Sequence, residues 1–348
     1  MEALKRAVIR VAATPDGRLQ ELPFLQRSLL LPLLSFASSL FRLSVALRRR
    51  LYRFGLLPRH RLPVPVISVG NLTWGGNGKT PMVEFIARIC VEAGIPPLIL
   101  TRGYASGDEA KMLERHLSGT SARIGVGANR TAVAASIFER HGYVKFENTL
   151  YSKKLSNPHE FGSASENGKV GVAILDDGMQ VSDGQLKVIK SKMHTVDACH
   201  AVFFTRLAPS HFFEVKNQHS TLPLSVVLNR VVLCVSAIGF PNAFVQAVGK
   251  IGPLLVDRLD FGDHHSIQLN DIEMIKERLG KLKDRFNTEV VAVVTEKDYD
   301  RDALILREIH NFDVLVLCSS FQIMPSYGQG EDTFRRKLKE LIISKFGG

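Results

Sequence analysis

The chain has 348 residues, 45% hydrophobic and 23% charged, a balance that excludes intrinsic disorder and leaves room for about two domains or one large one. Mean hydropathy is +0.05, and no uncharged apolar run reaches the ~20 residues a bilayer-crossing helix needs, which excludes a polytopic membrane protein. The net charge is +11, but residues 1–65 hold 12 Lys and Arg against 3 acidic residues, so the excess points to a membrane surface or a targeting role and not to a nucleic-acid groove.

The first residues place Leu4, Val8 and Val11 on one helical face, in the manner of an organellar transit peptide, although Glu2 and Asp16 count against it. From Ser28 to Phe41 the chain reads SLLLPLLSFASSLF, bracketed by Arg27 and Arg42 and followed by Arg48, Arg49, Arg50 and Arg53. Such a helix would span about 21 Å, short of the ~30 Å hydrocarbon core, and Pro32 is expected to interrupt it. The pattern predicts a helix lying in the membrane interface, with apolar side chains in the acyl region and arginines on anionic head groups. A helical hairpin packed on the main domain is the structural alternative.

Beyond Arg61, short apolar runs rich in Val and Ile alternate with helix-like segments. The runs are 63–70, 96–101, 122–127, 170–177, 231–239, 290–298 and 313–318. Runs that are apolar throughout fit strands buried on both faces of a parallel sheet. The segment 82–94 between the first two reads as a helix ending at Gly94. The fold class expected is α/β, a doubly wound, mostly parallel sheet, made P-loop NTPase-like by the glycine-rich GGNGKT that follows its first strand. An N-terminal helical membrane-docking segment (1–61), a nucleotide-binding lobe (62–205) and a smaller C-terminal α/β lobe closing the cleft (206–348) complete it. Residues 143–169 read as a polar loop, and residues 181–230 show no buried strand apart from 200–205.

The sharpest local signal is SVGNLTWGGNGKTP, Ser68 to Pro81, placed after the first strand and opening the first strong helix. Small residues let backbone N–H groups cradle phosphate oxygens, with the helix N-terminus adding partial positive charge. Thr73, Gly75, Gly76, Asn77, Gly78, Lys79 and Thr80 are the nucleotide-binding candidates. Lys79 is placed to reach the β- and γ-phosphates, and the Thr80 hydroxyl to reach Mg²⁺. Thr73 stands where a strict phosphate-loop pattern has glycine. Gly125–Val126–Gly127 reads only as a strand–helix turn.

Acidic and basic partners fall at strand ends. Asp176 and Asp177 close the strand VGVAILDD, where a magnesium–nucleotide site needs carboxylates. Asp108 and Glu109 follow the second strand and Arg102. Asp263, His264 and His265 form a DHH triplet, in which a His with a carboxylate partner can act as general base or simply occupy a surface loop. Lys297 in TEKD is either a phosphate contact or half of an ion pair. Cys90, Cys199, Cys234 and Cys318 lack metal-ligand spacing, so neither a disulfide framework nor a zinc site is expected. With no NKxD-type motif, a GTPase reading is disfavoured.

Taken together, PVPVISVGNLTWGGNGKTP, LILTRGY…GDE, GANR, LDDGMQ, SAIGFPNAF, LDFGDHH and VVTEKD resemble, in content and order, the tetraacyldisaccharide 4′-kinase family. Trp74, Asn77 and Met179 look like its plant-type form. The resemblance implies ATP and Mg²⁺ as cofactors, with Lys79 and Thr80 in the nucleotide loop. It implies Thr80, Asp176 and Asp177 as metal ligands, and Asp108 with His264 as the pair that activates the acceptor hydroxyl. The implied activity is phosphorylation of the 4′-hydroxyl of a lipid A disaccharide 1-phosphate precursor. The implied partners are that lipid-linked disaccharide and a membrane surface with anionic lipids, with no nucleic acid, and the implied place is an intracellular membrane, mitochondrial for a plant-type member. The chain departs from the family after Gln180, where VSDGQLKVIKSKMH stands in place of a His, an RDLEI-type strand and a GPLRE-type segment. The alternative that follows is a catalytically impaired, membrane-associated nucleotide-binding paralogue.

Overall fold

The computed structural model describes Ala7, Val8, Val11, Pro23, Phe24 and residues 26–56, 61–70, 78–103, 107–144, 168–176, 203–325 and 330–344. The chain divides into two compact units, Met1–Arg61 and Leu62–Gly348.

In the first unit, a π-helical turn, Gln26–Leu30, runs into α1 (Leu31–Arg53). Pro32 does not interrupt this helix. It falls where the π-helical turn gives way to the α-helix, a local widening that accommodates a residue without a backbone N–H. The run Gln26–Arg53 is thus 28 residues long, with a mean hydropathy of 1.7 in its most apolar stretch, enough in length and composition to cross a membrane. The sequence expectation of a 14-residue segment was too short because it stopped at charged residues. None of the α1 side chains is buried, and Leu33, Phe36, Leu40, Leu43 and Leu47 are all exposed.

The second unit is α/β with two sheets. The first contains β1 (Val66–Ser68), β2 (Pro97–Thr101), β3 (Arg123–Val126) and β4 (Val172–Leu175), parallel in the order β1-β4-β2-β3. All five residues of β2 are buried, which is why this strand reads as a continuous apolar run. Helices α2 (Lys79–Glu92), α3 (Asp108–His116) and α4 (Arg130–His141) connect the strands. Asn129 caps α4, its side chain accepting the Ala132 N–H at 3.1 Å. Gly125 lets α4 approach β3 closely, since a Cβ there would lie 2.6 Å from Val133.

The second sheet contains β5 (Phe204–Glu214), β6 (Asn217–Leu222), β7 (Val231–Ser236), β8 (Leu255–Asp260), β9 (Val290–Thr295) and β10 (Asp313–Met324). Its order is β6-β5-β10-β9-β7-β8, with β5 antiparallel to both neighbours and the other pairings parallel. Helices α5 (Pro241–Ile251), α6 (Leu269–Phe286), α7 (Glu296–Leu306) and α8 (Glu331–Ser344) complete the unit. Among the described residues the C-terminal lobe, expected to be the smaller, carries the larger sheet. The expectation for 181–230 is corrected at its exception, because in the strand expected to be buried at 200–205 both Phe204 and Thr205 are exposed. β5 extends to Glu214 and pairs with β6, but only Phe212 and Phe213 of β5 are buried, so it lacks the apolar run that marks an interior strand. The edge strand β8 escaped notice for the same reason, none of its side chains being fully buried.

The two sheets meet through α3 and α7, which pack against one another. Their contact is charged. Arg115 forks onto Asp300, with Nε to Oδ1 at 2.9 Å and Nη2 to Oδ2 at 2.8 Å, and also reaches Glu296 at 3.0 Å. His116 Nδ1 meets Glu84 of α2 at 2.6 Å, and its Nε2 meets Glu296 at 2.7 Å. The second Glu296 oxygen accepts the Ser319 N–H at 3.3 Å, at the β10 register shift between Cys318 and Ser319. Burial pushes His116 toward its neutral form, but the two carboxylates outweigh it and raise the imidazole to about 9.

This arrangement predicts a pH-dependent stability. The folded His116 titrates near 9, above its ordinary value of 6.5, so its contribution is complete below about pH 6.5 and is lost as pH rises through 9. The loss expected is on the order of 2–3 kcal/mol. Denaturant unfolding of the full chain between pH 6 and 9.5 should show the decline in wild type, and a flatter profile with lower stability at pH 6.5 in His116→Gln.

Candidate active site

The carboxyl edge of the first sheet collects the nucleotide-type residues. β1 leads into the loop, and the described part resumes at Gly78, which takes φ +75° at the N-cap of α2. A side chain at this left-handed position would be strained, which accounts for glycine there. Lys79 and Thr80 are the first residues of α2, Thr80 is buried, and Pro81 occupies the first turn. Their backbone N–H groups lie in the first turn of a 14-residue helix, where amides without intrahelical acceptors and the helix dipole favour an anion. Thr73, Gly75, Gly76, Asn77 and Asp177 lie outside the described residues, as do residues 181–202 following the point of departure.

Asp176 follows β4 at the same edge and is 2% exposed. Its N–H donates to Leu100 O at 3.0 Å, and the Val69 N–H beyond β1 donates to Leu175 O at 2.9 Å, so the end of β1 and the aspartate share one corner of the sheet. Among the described residues no group of three or more His, Cys, Asp and Glu is disposed to hold a metal ion.

The acid–base candidates come from different sheets. Asp108 opens α3 behind Gly107, whose φ is +68°. Its Oδ1 accepts the Glu109 N–H at 2.9 Å. Its Oδ2 accepts from Arg301 of α7, Nη2 at 2.7 Å and Nε at 3.2 Å. His264 lies in the turn after β8, with its N–H donating to Ala237 O at 3.1 Å and its backbone at φ +60°. Its Nδ1 stands 3.4 Å from the same Asp108 Oδ2. Burial pushes the Asp108 carboxyl up, but the Arg301 hydrogen bonds and the Lys297 and Arg301 charges prevail and hold it below its ordinary range. The carboxylate is therefore ionised at neutral pH and able to orient an imidazole.

The structure separates the two histidines of the DHH triplet. His264 reaches Asp108, whereas His265 stacks on Phe261 with centroids 5.1 Å apart and bonds Asp271 at 2.7 Å. Lys297 forms an ion pair with Glu109 at 3.2 Å, and Arg102 lies just beyond the carboxyl end of β2. The sequence reading missed Arg301, Arg115 and His116. A signal was available in KDYDR, where Arg301 falls three residues after Asp298 and four after Lys297, on one face of a helix directly after a buried strand.

A Gly-Lys-Thr turn opening a helix at the edge of a parallel sheet, with a buried aspartate at the neighbouring strand end, defines a P-loop-type phosphotransferase architecture. The family model described as tetraacyldisaccharide-1-P 4′-kinase matches residues 30–106 and 181–341. The chain is 40% identical over 396 aligned positions to the probable mitochondrial tetraacyldisaccharide 4′-kinase of Arabidopsis thaliana, covering 99% of each. It is 27% identical over 333 positions to the tetraacyldisaccharide 4′-kinase of Coxiella burnetii strain Dugway, covering 92% of this chain and 94% of the relative. The fold matches that of LpxK from Aquifex aeolicus, solved in complex with ATP, with a TM-score of 0.55, 20% identity and coverage of 90% and 98%. The chain belongs to the tetraacyldisaccharide 4′-kinase family.

Replacing Lys79 by Ala should weaken Mg-ATP binding by roughly 2–4 kcal/mol, the scale for losing a charged contact to phosphate. Titration calorimetry of the two proteins measures it, and equal affinities would remove Lys79 from the nucleotide site.

Proposed function

We propose that the chain is an ATP-dependent kinase that phosphorylates the 4′-hydroxyl of a lipid A disaccharide 1-phosphate precursor, with Asp108 and His264 drawing the proton from that hydroxyl. The observation that carries this reading is the approach of His264 Nδ1 to within 3.4 Å of Asp108 Oδ2, from separate sheets and more than 150 residues apart in the chain. A contact of this kind suits a general base that tightens when substrate arrives. Family membership and the ATP bound by the Aquifex relative supply the reaction class.

The roles of the residues follow from phosphoryl-transfer chemistry, which is mostly positioning and charge neutralisation. Gly78, Lys79 and Thr80, with Thr73, Gly75, Gly76 and Asn77, hold the triphosphate. Thr80 and Asp176 are buried hard oxygen donors, one opening α2 and one closing β4, and with Asp177 their chemistry fits Mg²⁺, which needs only one or two carboxylates beside the phosphates and waters. That ion, when bound, neutralises charge on the phosphates. Asp108 orients the imidazole, and His264 takes the proton from the attacking hydroxyl.

The N-terminal unit supports membrane association. α1 exposes its apolar residues over its whole length and carries Arg48, Arg49, Arg50 and Arg53 toward its end, a composition suited to acyl chains and anionic head groups. The Arabidopsis relative is named as mitochondrial, which supports an organellar membrane.

Two outcomes are expected. Asp108→Asn and His264→Gln should each lower turnover by about 10²–10⁴-fold with ATP affinity kept, and the double variant should be little worse than either, as members of one catalytic unit are non-additive. Radiolabelled phosphate transfer from ATP to the disaccharide precursor measures this, and undiminished turnover in both single variants would exclude the pair. Removing residues 1–61 should release the protein from anionic vesicles in a sedimentation assay. Equal co-sedimentation of both forms would exclude a docking role for α1.

A further inference from the structure

Arg301 has a buried side chain, 0% exposed, at the junction of the two sheets. Its guanidinium spends all three nitrogens on four partners. Nη2 and Nε donate to Asp108 Oδ2 at 2.7 and 3.2 Å. Nη1 donates to Asp298 Oδ1 at 3.0 Å, to His265 O at 3.1 Å and to Ala237 O at 3.3 Å. Ala237 O is also the acceptor of the His264 N–H, and His265 is the next residue in the chain. The guanidinium thus fixes the backbone on both sides of His264 and the carboxylate that His264 faces. A non-glycine residue at φ +60° persists only when its surroundings over-determine it, and these bonds do so.

We propose that Arg301 is a positioning residue for the phosphoryl-transfer reaction, a planar clamp that sets Asp108 and the His264 turn in one geometry across the two sheets. The proposal rests on the reading of Asp108 and His264 as the proton-accepting pair. The clamp needs arginine's fork, because a single ammonium cannot reach both a carboxylate on one helix and the carbonyls of two separate turns, those after β7 and β8. Asp298 completes it, its Oδ1 accepting the Ala237 N–H at 3.2 Å and its Oδ2 the Thr295 hydroxyl at 2.6 Å, so the base of Arg301 is itself held.

The clamp also decides how protons are divided. Among the described residues, the charged groups around Asp108 are Arg301, Lys297 and Asp298 from α7, Glu109 from its own helix, and His264 with Asp263 from the turn after β8. Of these, Arg301 is the one that hydrogen-bonds the reactive oxygen most closely. With the cation in place Asp108 stays ionised and gives up basicity, leaving His264 to accept the proton. Without it, Asp108 protonates at a higher pH, and the acid limb of the activity profile moves upward.

The test measures kcat, KM for ATP and the pH dependence of kcat/KM for the full-length protein acting on the tetraacylated disaccharide 1-phosphate. It compares wild type with Arg301→Gln and Arg301→Lys, and includes Asp108→Asn and His264→Gln. Arg301→Gln is expected to lower kcat by about 10²-fold, to leave KM for ATP within about twofold, and to shift the acid limb to higher pH. Arg301→Lys keeps the charge and loses the fork, so its acid limb should stay in place while kcat falls by about tenfold. If Arg301→Gln does not fold, Arg301→Lys decides. Wild-type kcat in whichever variant folds would overturn the proposal, as would an equal loss at every pH with a lowered Tm and an unmoved limb in Arg301→Gln. Loss of turnover in Asp108→Asn and His264→Gln beside active Arg301 variants would remove the clamp alone. Full turnover in Asp108→Asn and His264→Gln would instead remove the proton-accepting pair on which it rests.

Discussion

The buried ion pair between Asp108 and Arg301 is the constraint on which the site depends. Both side chains are 2% exposed or less, and each belongs to a helix that starts at a strand's carboxyl end, one from each sheet. Moving two such charges out of water costs more than an exposed pair ever returns, so the pair contributes little to net stability. Breaking it is another matter, because the abandoned charge stays buried, at a cost of roughly 3–5 kcal/mol. The two sheets are therefore held at one spacing by a penalty on separation rather than by strong attraction.

Farther along α3 and α7, the charged cluster of Arg115, His116, Glu84, Glu296 and Asp300 repeats the principle. Glu84 lies in α2, one turn after Lys79 and Thr80, so the phosphate-type helix is tied through His116 to the helix that carries Lys297 and Arg301. Glu296 also receives an amide at the register shift in β10, the strand that pairs with β5 along its whole length. α2, α3, α7 and β10 are thus joined by one charged cluster, separate from the Asp108–Arg301 pair on the same two helices.

Much of this was legible in the residues. Interior strands such as β2, β7 and β9 declare themselves because burial on both faces demands uninterrupted apolar side chains. The Gly-Lys-Thr turn was readable because a left-handed residue followed by a helix start allows few residue types. Pro32 misled because a proline that would break a regular α-helix is accommodated beside a π-helical turn, which sequence alone does not announce. β5 and β8 were missed because a strand whose side chains face water keeps no hydrophobic signature.

The sequence by itself determined the α/β class, the interior strands, the Gly-Lys-Thr helix start and the family to which the chain belongs. These depend on local patterns, which short stretches of residues carry in full. Only the tertiary structure decided which histidine of the triplet faces a carboxylate, that Lys297 spends its charge on Glu109, and that Arg301 stands behind Asp108. Each of those outcomes pairs residues far apart in the chain, often from different sheets. Proximity of that kind is set by how α3 packs on α7, and no spacing within a single segment encodes it.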